Sequence, residues 1–246
     1  MIRVQGITDV GLVRKENQDA YAVREETLSG HTVCVVCDGM GGAAGGKLAS
    51  QIAVTTYLEE LEKVLTAAMN PEQLREASSY AVSLANRAIQ TVAGESPEYG
   101  GMGTTLVSAI TYADGAVITN VGDSRAYHIS AAGITRVTTD HSLVQSMVER
   151  GDITAEEARR HPNRNLITRA LGPDIDAECD GYICPMAAGE FLLLCSDGLV
   201  NTVTDQEMLS VVLHSEGLEH ALEWLLQIAK EHGAPDNVTA VLLQVL

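Results

Sequence analysis

Two long helical patterns stand side by side in this sequence, between the third and fourth of its strand-like segments. The first covers residues 47–69 and the second residues 72–91, with Asn70-Pro71 between them, because proline ends one helix and favours the first turn of the next. The strand-like segments are 3–9, 20–25, 32–37, 105–112, 116–121, 126–129, 134–137, 191–195 and 238–245. Helices inserted in pairs do not follow the strand–helix alternation of a parallel sheet.

The turn signals favour antiparallel strands. Asp114-Gly115 lies between two apolar segments and predicts a hairpin, and Ala132-Gly133 predicts a second one. Another pair of helical patterns, at 205–214 and 218–232, precedes the last strand. We therefore predict an α+β fold, a four-layer α-β-β-α sandwich in which two central antiparallel sheets are each covered by a helix pair. Because no linker rich in Pro, Gly or Ser interrupts the sequence, we expect a single domain over residues 1–246.

Residues 140–172 depart from this pattern and predict a helical insertion, called the flap below. Short amphipathic helices are expected at 141–150 and 155–160. The flap also holds five of the 16 Lys and Arg residues of the chain, namely Arg150, Arg159, Arg160, Arg164 and Arg169. Two interpretations remain open, a solvated helical face and a flap that faces a substrate.

The charge balance excludes several classes of partner. The chain of 246 residues carries 33 Asp and Glu against 16 Lys and Arg, a net charge of −17. Such a charge repels nucleic-acid backbones and anionic membrane surfaces. No apolar run is long enough to predict a transmembrane helix, and no apolar segment typical of a signal peptide follows Met1. We expect a cytoplasmic protein with neither a nucleic-acid nor a membrane partner.

The five cysteines are then expected to be reduced thiols. Cys34 and Cys37 form a C-x-x-C pattern, which could indicate zinc or redox chemistry. They lie in a strand-like segment, however, and positions three apart on a strand point to opposite faces. We therefore interpret both as small core residues.

Five short segments each place an aspartate at the end of a strand or beside a glycine. Aspartates that converge without matching cations repel one another unless a bound cation lies among them. Mg²⁺ and Mn²⁺ prefer carboxylate, carbonyl and water oxygens, so the pattern predicts a binuclear Mg²⁺/Mn²⁺ site. A turn would explain any one Asp-Gly pair, but it explains five such segments poorly. The segments are Arg14-Lys-Glu-Asn-Gln-Asp19, Asp38-Gly-Met-Gly-Gly42, Val121-Gly-Asp-Ser-Arg125, Ser196-Asp-Gly-Leu199 and Asp236-Asn237.

Other catalytic chemistries find little support. The glycine-rich segment after Asp38 has neither the G-K-[S/T] of a Walker A loop nor the G-x-G-x-x-G of a dinucleotide fold. The sequence also lacks a G-x-S-x-G elbow and a C-x₅-R phosphatase loop. A metal-activated water is therefore a better candidate nucleophile than a side chain.

The same motifs, with Gly103-Thr104-Thr105 and Asp140-His141 between them, closely resemble those of the metal-dependent protein phosphatase (PPM) family, type 2C. Their order and spacing match over nearly the whole chain. The resemblance implies an α-β-β-α sandwich and a metal-dependent hydrolase of phosphoserine and phosphothreonine. It also implies two core Mn²⁺ or Mg²⁺ ions and a weaker third one.

The resemblance further implies roles for individual residues. Asp38 bridges two ions and the Gly39 carbonyl binds one of them. Asp197 and Asp236 complete the coordination of the other ion, and Asp19 holds metal-bound water or lies just behind the ligands. Arg14 binds the substrate phosphate. Asp123, with Asp197 and in one interpretation Asn165 of the flap, forms the third metal site.

Two positions differ from the animal members of the family. Met40 stands where they carry a histidine proposed as general acid, and Gln18 stands where they carry a glutamate that holds metal water. A metal-bound water is one candidate for the missing acid, whereas His141 is expected to make a structural hydrogen bond.

The resemblance implies phosphoprotein substrates, with a bacterial Ser/Thr kinase and its targets as partners, and a monomer is expected. A pseudophosphatase and a metal-dependent nuclease are the alternatives. The metal-site aspartates oppose the first, and the acidic charge opposes the second.

Overall fold

A computed structural model describes residues 1–25 and 29–246 of the chain, with only the backbone of residues 43 and 44. Its strands, in chain order, are β1 (Ile2–Asp9), β2 (Ala20–Arg24), β3 (Val33–Cys37), β4 (Gly39–Met40), β5 (Gly103–Thr104), β6 (Leu106–Tyr112), β7 (Gly115–Val121), β8 (Arg125–Ser130), β9 (Gly133–Arg136), β10 (Asp180–Pro185), β11 (Phe191–Cys195) and β12 (Val238–Val245). Its α-helices are α1 (Gly42–Val64), α2 (Pro71–Glu95), α3 (Leu143–Glu149), α4 (Ala155–Arg160), α5 (Asp197–Val200), α6 (Asp205–His214) and α7 (Leu218–Glu231).

The strands form two antiparallel sheets and one short ribbon. Sheet A has the order β1-β12-β11-β8-β9, and sheet B has the order β10-β7-β6-β3-β2. The ribbon pairs β4 with β5. Three apolar clusters separate the layers, one between sheet B and the α1–α2 pair, one between sheet A and the α6–α7 pair, and one between the sheets. This is the predicted α-β-β-α sandwich, and the predicted hairpin at Asp114-Gly115 joins β6 to β7.

The two cysteines of the C-x-x-C pattern lie on opposite faces of β3, as expected. Cys34 packs between the sheets and Cys37 packs towards the helix pair. Burial raises the pKa of both thiols above their ordinary value, which leaves them as neutral core residues.

Helix α1 lies about five residues nearer the N-terminus than the sequence predicts. It begins in the glycine-rich segment, at Gly42. The Gly46 position in its second turn requires glycine, because a Cβ there would lie 2.8 Å from the Gly39 carbonyl. The helix ends at Val64, where Leu65 turns to an extended conformation. Helix α2 begins as predicted, with Asn70 forming a capping box with Gln73.

Strand β10 was not predicted. It is an edge strand of sheet B that begins with Asp180-Gly181 and ends with Pro185, and only edge positions tolerate proline in this way. In the part of the chain that the structure describes, no helix has the length and apolar character needed to span a bilayer.

Candidate active site

The five aspartate-bearing segments meet at one end of the sandwich, around a cleft of about 520 Å³. Both sheets contribute, since Asp38 follows β3 of sheet B whereas Asp197 and Asp236 flank β11 and β12 of sheet A. Six of the seven predicted site residues line this cleft, namely Arg14, Asp38, Gly39, Asp123, Asp197 and Asp236. The seventh, Asp19, is buried behind them.

Two adjacent threonines hold the main chain at Asp38. Its N–H donates to Thr105 Oγ1 at 3.0 Å. Its carbonyl accepts from Thr105 N at 2.9 Å and from Thr104 Oγ1 at 2.8 Å. The backbone position of Asp38 is therefore fixed on both sides, and its carboxylate remains available to the cleft.

Close packing of main chains explains the glycines beside the aspartates. A Cβ on Gly39 would lie 2.1 Å from the Gly46 carbonyl oxygen, and one on Gly198 would lie 1.9 Å from the Asn237 carbonyl oxygen. Any side chain at these two positions would force the loops apart.

Asp19 and Asp197 each leave one carboxylate oxygen without a partner. The other oxygen of Asp19 accepts from Ser196 Oγ at 2.8 Å, and that of Asp197 accepts from Asn201 Nδ2 at 3.1 Å. Among the described residues, the buried Oδ1 atoms of both have no hydrogen-bond donor. A buried carboxylate oxygen without a donor is costly, so both atoms call for a cation or ordered water.

The electrostatics of the site point the same way. Burial, and then the charges of the neighbouring aspartates, raise the pKa of Asp38 well above its ordinary value. Burial followed by the charge of Asp197 raises the pKa of Asp123 to about 8. Burial also raises the pKa of Asp19 and of Asp197 to about 6. Without cations these carboxyls therefore keep their protons to a higher pH than ordinary aspartates, and divalent ions would take the place of those protons.

The donor set fits hard divalent ions that keep several waters. It consists of carboxylate and carbonyl oxygens, which suit Mg²⁺ and Mn²⁺. Within residues 1–25 and 29–246, no three Asp, Glu, His or Cys side chains are gathered closely enough to surround one ion. Water would therefore supply the remaining ligands, as is usual for Mg²⁺.

Arg14 lies at the edge of the cleft in contact with one of these carboxylates. Its Nη2 donates to Asp236 Oδ2 at 2.6 Å, and both side chains are partly exposed. This contact raises the pKa of the guanidinium above its ordinary value. The residue that the resemblance assigns to the phosphate is thus held beside a residue that it assigns to the metal.

The flap closes one side of the cleft. Asn165 and Ile167 line the same cavity as Asp123, which supports the interpretation that the flap faces the substrate. Its N-terminal base is fixed by Arg125, whose Nε and Nη2 donate to the two Asp140 oxygens at 2.8 and 2.6 Å. Its C-terminal base pairs with the ribbon, where Thr104 N donates to Leu171 O at 3.0 Å.

His141 and Arg169 are part of this anchoring. The Gly122 N–H donates to His141 Nδ1 at 3.1 Å, so Nε2 carries the proton and faces Asp180 Oδ2 at 3.2 Å. Arg169 Nη1 donates to Asp180 Oδ1 at 3.1 Å. His141 therefore makes structural hydrogen bonds, as expected, and its partners are Gly122 and Asp180.

Several polar residues that support the site were not predicted individually. Thr105, Ser196 and Asn237 lie within the motifs, but only their long-range hydrogen bonds show what they do. The motif spacing alone could have indicated that these positions matter, without indicating which atoms they contact.

An α-β-β-α sandwich with an aspartate-lined cleft across the ends of both sheets defines the class of metal-dependent protein phosphatases. Comparison with known proteins assigns the family: residues 13–242 match the family model described as protein phosphatase 2C. The chain belongs to the protein phosphatase 2C family and is a metal-dependent serine/threonine phosphatase.

Individual relatives are similar to this chain over nearly their whole length. The chain is similar to the serine/threonine phosphatase stp of Listeria monocytogenes, with 35% identity over 237 residues that cover 96% of this chain and 93% of the relative. Its structure is similar to that of Stp1 from Staphylococcus aureus, with a TM-score of 0.93, 35% identity and coverage of 100% and 96% of the two chains. It is also similar to the catalytic domain of PstP in complex with two manganese ions, with a TM-score of 0.84, 32% identity and coverage of 100% and 98%.

Proposed function

We propose that this phosphatase binds two Mn²⁺ or Mg²⁺ ions through the carboxylates of Asp38, Asp197 and Asp236 and the carbonyl of Gly39. The observation that carries this proposal is the pair of buried Oδ1 atoms on Asp19 and Asp197, for which the described residues provide no donor. Bound divalent ions lower the pKa of a coordinated water and neutralise charge on the phosphoryl group. Asp19 lies behind the ligands and orients water in the cleft.

The cleft supports water as the nucleophile. Among its described lining residues the only hydroxyl belongs to Thr105, and none is a cysteine, serine or histidine. The Thr105 hydroxyl already accepts from Asp38 N and bonds Ser124 Oγ at 2.7 Å. Within the described lining, hydrolysis through a phosphorylated serine, threonine, cysteine or histidine therefore has no available nucleophile, and the aspartates are proposed to hold the ions.

Arg14 is proposed to bind the phosphoryl oxygens. A guanidinium suits a phosphate because it donates two parallel hydrogen bonds. It already lies in the cleft, held on Asp236. Asp123 is proposed to hold a third, weaker ion on the flap side, with Asn165 across the same cavity.

The proposed substrates are proteins phosphorylated on serine or threonine by a bacterial Ser/Thr kinase, and the kinase itself. The relatives named above are bacterial serine/threonine phosphatases. We further propose a cytoplasmic, monomeric, single-domain enzyme, which is compatible with its five free cysteines.

Hydrolysis of a phosphothreonine peptide tests the two-ion centre. The wild-type protein should be active with Mn²⁺ and inactive after EDTA, and Asp38→Ala should be inactive with saturating Mn²⁺. Asp176→Asn, at an exposed position that does not line the cleft, is the matched control and should keep full activity. An Asp38→Ala variant that turns over normally in Mn²⁺ would refute the proposal.

A further inference from the structure

The buried side chain of Asn237 forms hydrogen bonds with both ends of the segment that carries Arg14, residues 10–18. Its Nδ2 donates to the carbonyls of Val10 and Glu16, each at 3.0 Å. Its Oδ1 accepts from Gln18 N at 2.8 Å. A single amide therefore joins the start of the segment at residue 10 to its end at residues 16–18.

The orientation of this amide follows from its partners. Two carbonyls need a donor and one N–H needs an acceptor, so the nitrogen must face Val10 and Glu16 and the oxygen must face Gln18. Asn237 is 4% exposed, and its three contacts are partly buried. Such contacts are worth more than the same contacts on the surface.

Apolar packing contributes little to the position of this segment. Leu12 and Val13 expose 61% and 68% of their surface, and Arg14 and Lys15 are also exposed. The segment is held instead by main-chain contacts, which include Leu12 N donating to Ala234 O at 2.9 Å. The Asn237 amide contacts both ends of the segment, so it constrains the main chain on either side of Arg14.

Asn237 also fixes Arg14 relative to the acidic cluster, because it follows Asp236 directly. The Asp236 carboxylate accepts a hydrogen bond from the Arg14 guanidinium. The Asn237 amide donates to main-chain carbonyls on either side of Arg14. Gly11 makes this approach possible, since a Cβ there would lie 2.2 Å from the Asp236 carbonyl oxygen, and its φ is +76°. The dipeptide Asp236-Asn237 therefore positions both the backbone around Arg14 and its guanidinium group.

We propose that Asn237 is a positioning residue for phosphate binding, and that it acts through Arg14. This inference rests on the role proposed above for Arg14. Loss of the amide frees the segment and lowers the fraction of molecules in which the guanidinium faces the phosphoryl group. The effect belongs to binding, so it falls on KM and on the inhibition constant of inorganic phosphate.

A double-mutant cycle tests the inference with a phosphothreonine peptide and saturating Mn²⁺. Asn237→Ala should lower kcat/KM by roughly tenfold, mainly through KM, because it removes three partly buried hydrogen bonds that fix the segment. In an Arg14→Ala background the same change should cost less than about twofold, because residues that act in series are not additive. Asn237→Gln keeps the amide but moves it by one methylene group, so it should give a smaller loss of the same kind and serves if Asn237→Ala does not fold.

Asn86 provides the matched control. It is another buried asparagine, its Oδ1 accepts from Gly172 N at 2.6 Å, and its Nδ2 donates to Asp174 O at 3.0 Å. Whatever Asn86→Ala costs, the cost should be the same with and without Arg14. Equal losses for Asn237→Ala in the two backgrounds would overturn the positioning role.

The outcomes separate the two proposals. If Arg14→Ala alone leaves kcat/KM and phosphate inhibition unchanged, the proposed role of Arg14 fails, and the inference about Asn237 fails with it. If Arg14→Ala has its expected effect and Asn237→Ala is fully additive, only the positioning role fails.

Discussion

The guanidinium of Arg14 and the carboxylate of Asp236 lie 2.6 Å apart, although 222 residues separate them in the chain. This ion pair joins the N-terminal loop to the segment that enters the last strand. It holds the positive charge at the edge of a cleft whose other charged groups are mostly acidic. A substrate phosphate that enters the cleft therefore meets a preplaced cation.

Arg14→Ala should weaken substrate binding more than it slows turnover. A charge-assisted contact with a phosphate is worth about 1.5–3 kcal/mol, which predicts a tenfold to hundredfold loss in kcat/KM, mostly in KM. Steady-state kinetics with a phosphopeptide measure it. Arg14→Lys keeps the charge without the paired donors, so its kcat/KM should lie between those of the wild type and Arg14→Ala. A kcat/KM equal to that of the wild type would make Arg14 a surface residue without a role in binding.

The metal-free protein should lose stability as the pH rises. Asp19 and Asp197 have a pKa of about 6 and Asp123 a pKa of about 8, against an ordinary value of 3.8. Between about pH 4 and pH 8 the folded chain therefore holds more protons than the unfolded chain, so the free energy of unfolding falls with pH. Thermal unfolding in EDTA at pH 5, 6.5 and 8 measures this.

Saturating Mn²⁺ should reverse that trend. Ions bind the deprotonated carboxylates, so the rise in Tm on adding Mn²⁺ should be larger at pH 8 than at pH 5. A metal-free Tm that rises steadily from pH 5 to pH 8 would contradict this account of the aspartate cluster.

Asp123→Ala should remove one weakly bound ion and leave two. The metal-to-protein ratio at saturating Mn²⁺ should fall by about one. If water on that ion donates the proton to the leaving group, the loss in kcat should be larger for a phosphoserine peptide than for p-nitrophenyl phosphate, whose leaving group needs little help. Met40 cannot supply this proton, because a thioether carries none.

Each part of the result has its own meaning. Equal losses in kcat on the two substrates would exclude the acid role, and an unchanged metal content would exclude the third site. Metal analysis and kinetics on the same preparation separate the two.

Arg125→Met should destabilise the protein at the base of the flap. The Asp140 side chain is 8% exposed and receives Arg125 on both oxygens, so the substitution leaves a buried charge without its main partner. Such losses cost about 3–5 kcal/mol, and Arg136 at 3.4 Å should hold the value near the lower end. Urea unfolding measures it.

The control is Arg160→Met in the same flap. Arg160 pairs with Glu156, and the two side chains are 82% and 78% exposed. The change in the free energy of unfolding should stay within about 0.5 kcal/mol. Similar losses in the free energy of unfolding for the two variants would show that the Arg125–Asp140 pair stabilises the protein no more than an exposed ion pair.

Much of the fold could be predicted from the sequence because its signals are local. The two apolar segments and the Asp114-Gly115 turn between them place β6 and β7 correctly, and Asn70-Pro71 places the start of α2. The start of α1 could not be predicted, because glycines oppose a helix locally and their reasons are tertiary: Gly46 packs on Gly39 and Gly45 packs on Met102. Strand β10 was not predicted for a similar reason. Its own sequence has only a weak strand pattern, and the strand is stabilised by its pairing with β7.

The site could be predicted as a set of residues but not as a geometry. An aspartate at the end of an apolar segment is visible in the sequence, as are the motifs that mark the family. The contact between Arg14 and Asp236 and the bonds from Asn237 to Val10 and Glu16 join residues more than 220 positions apart, and no local pattern encodes them.

The place of β12 in sheet A has a consequence for biosynthesis. This strand is the last in the chain, yet it lies between β1 and β11, and the residues just before it are Asp236 and Asn237. A nascent chain that has not yet reached residue 238 leaves β1 without its neighbour and the acidic cleft without one wall. Because contacts this distant in sequence form late, the cleft is completed only after β12 has been synthesised and has paired with β1 and β11. A chain that stops shortly before β12 should therefore have no phosphatase activity, because it lacks Asp236 and Asn237 or the strand that positions them.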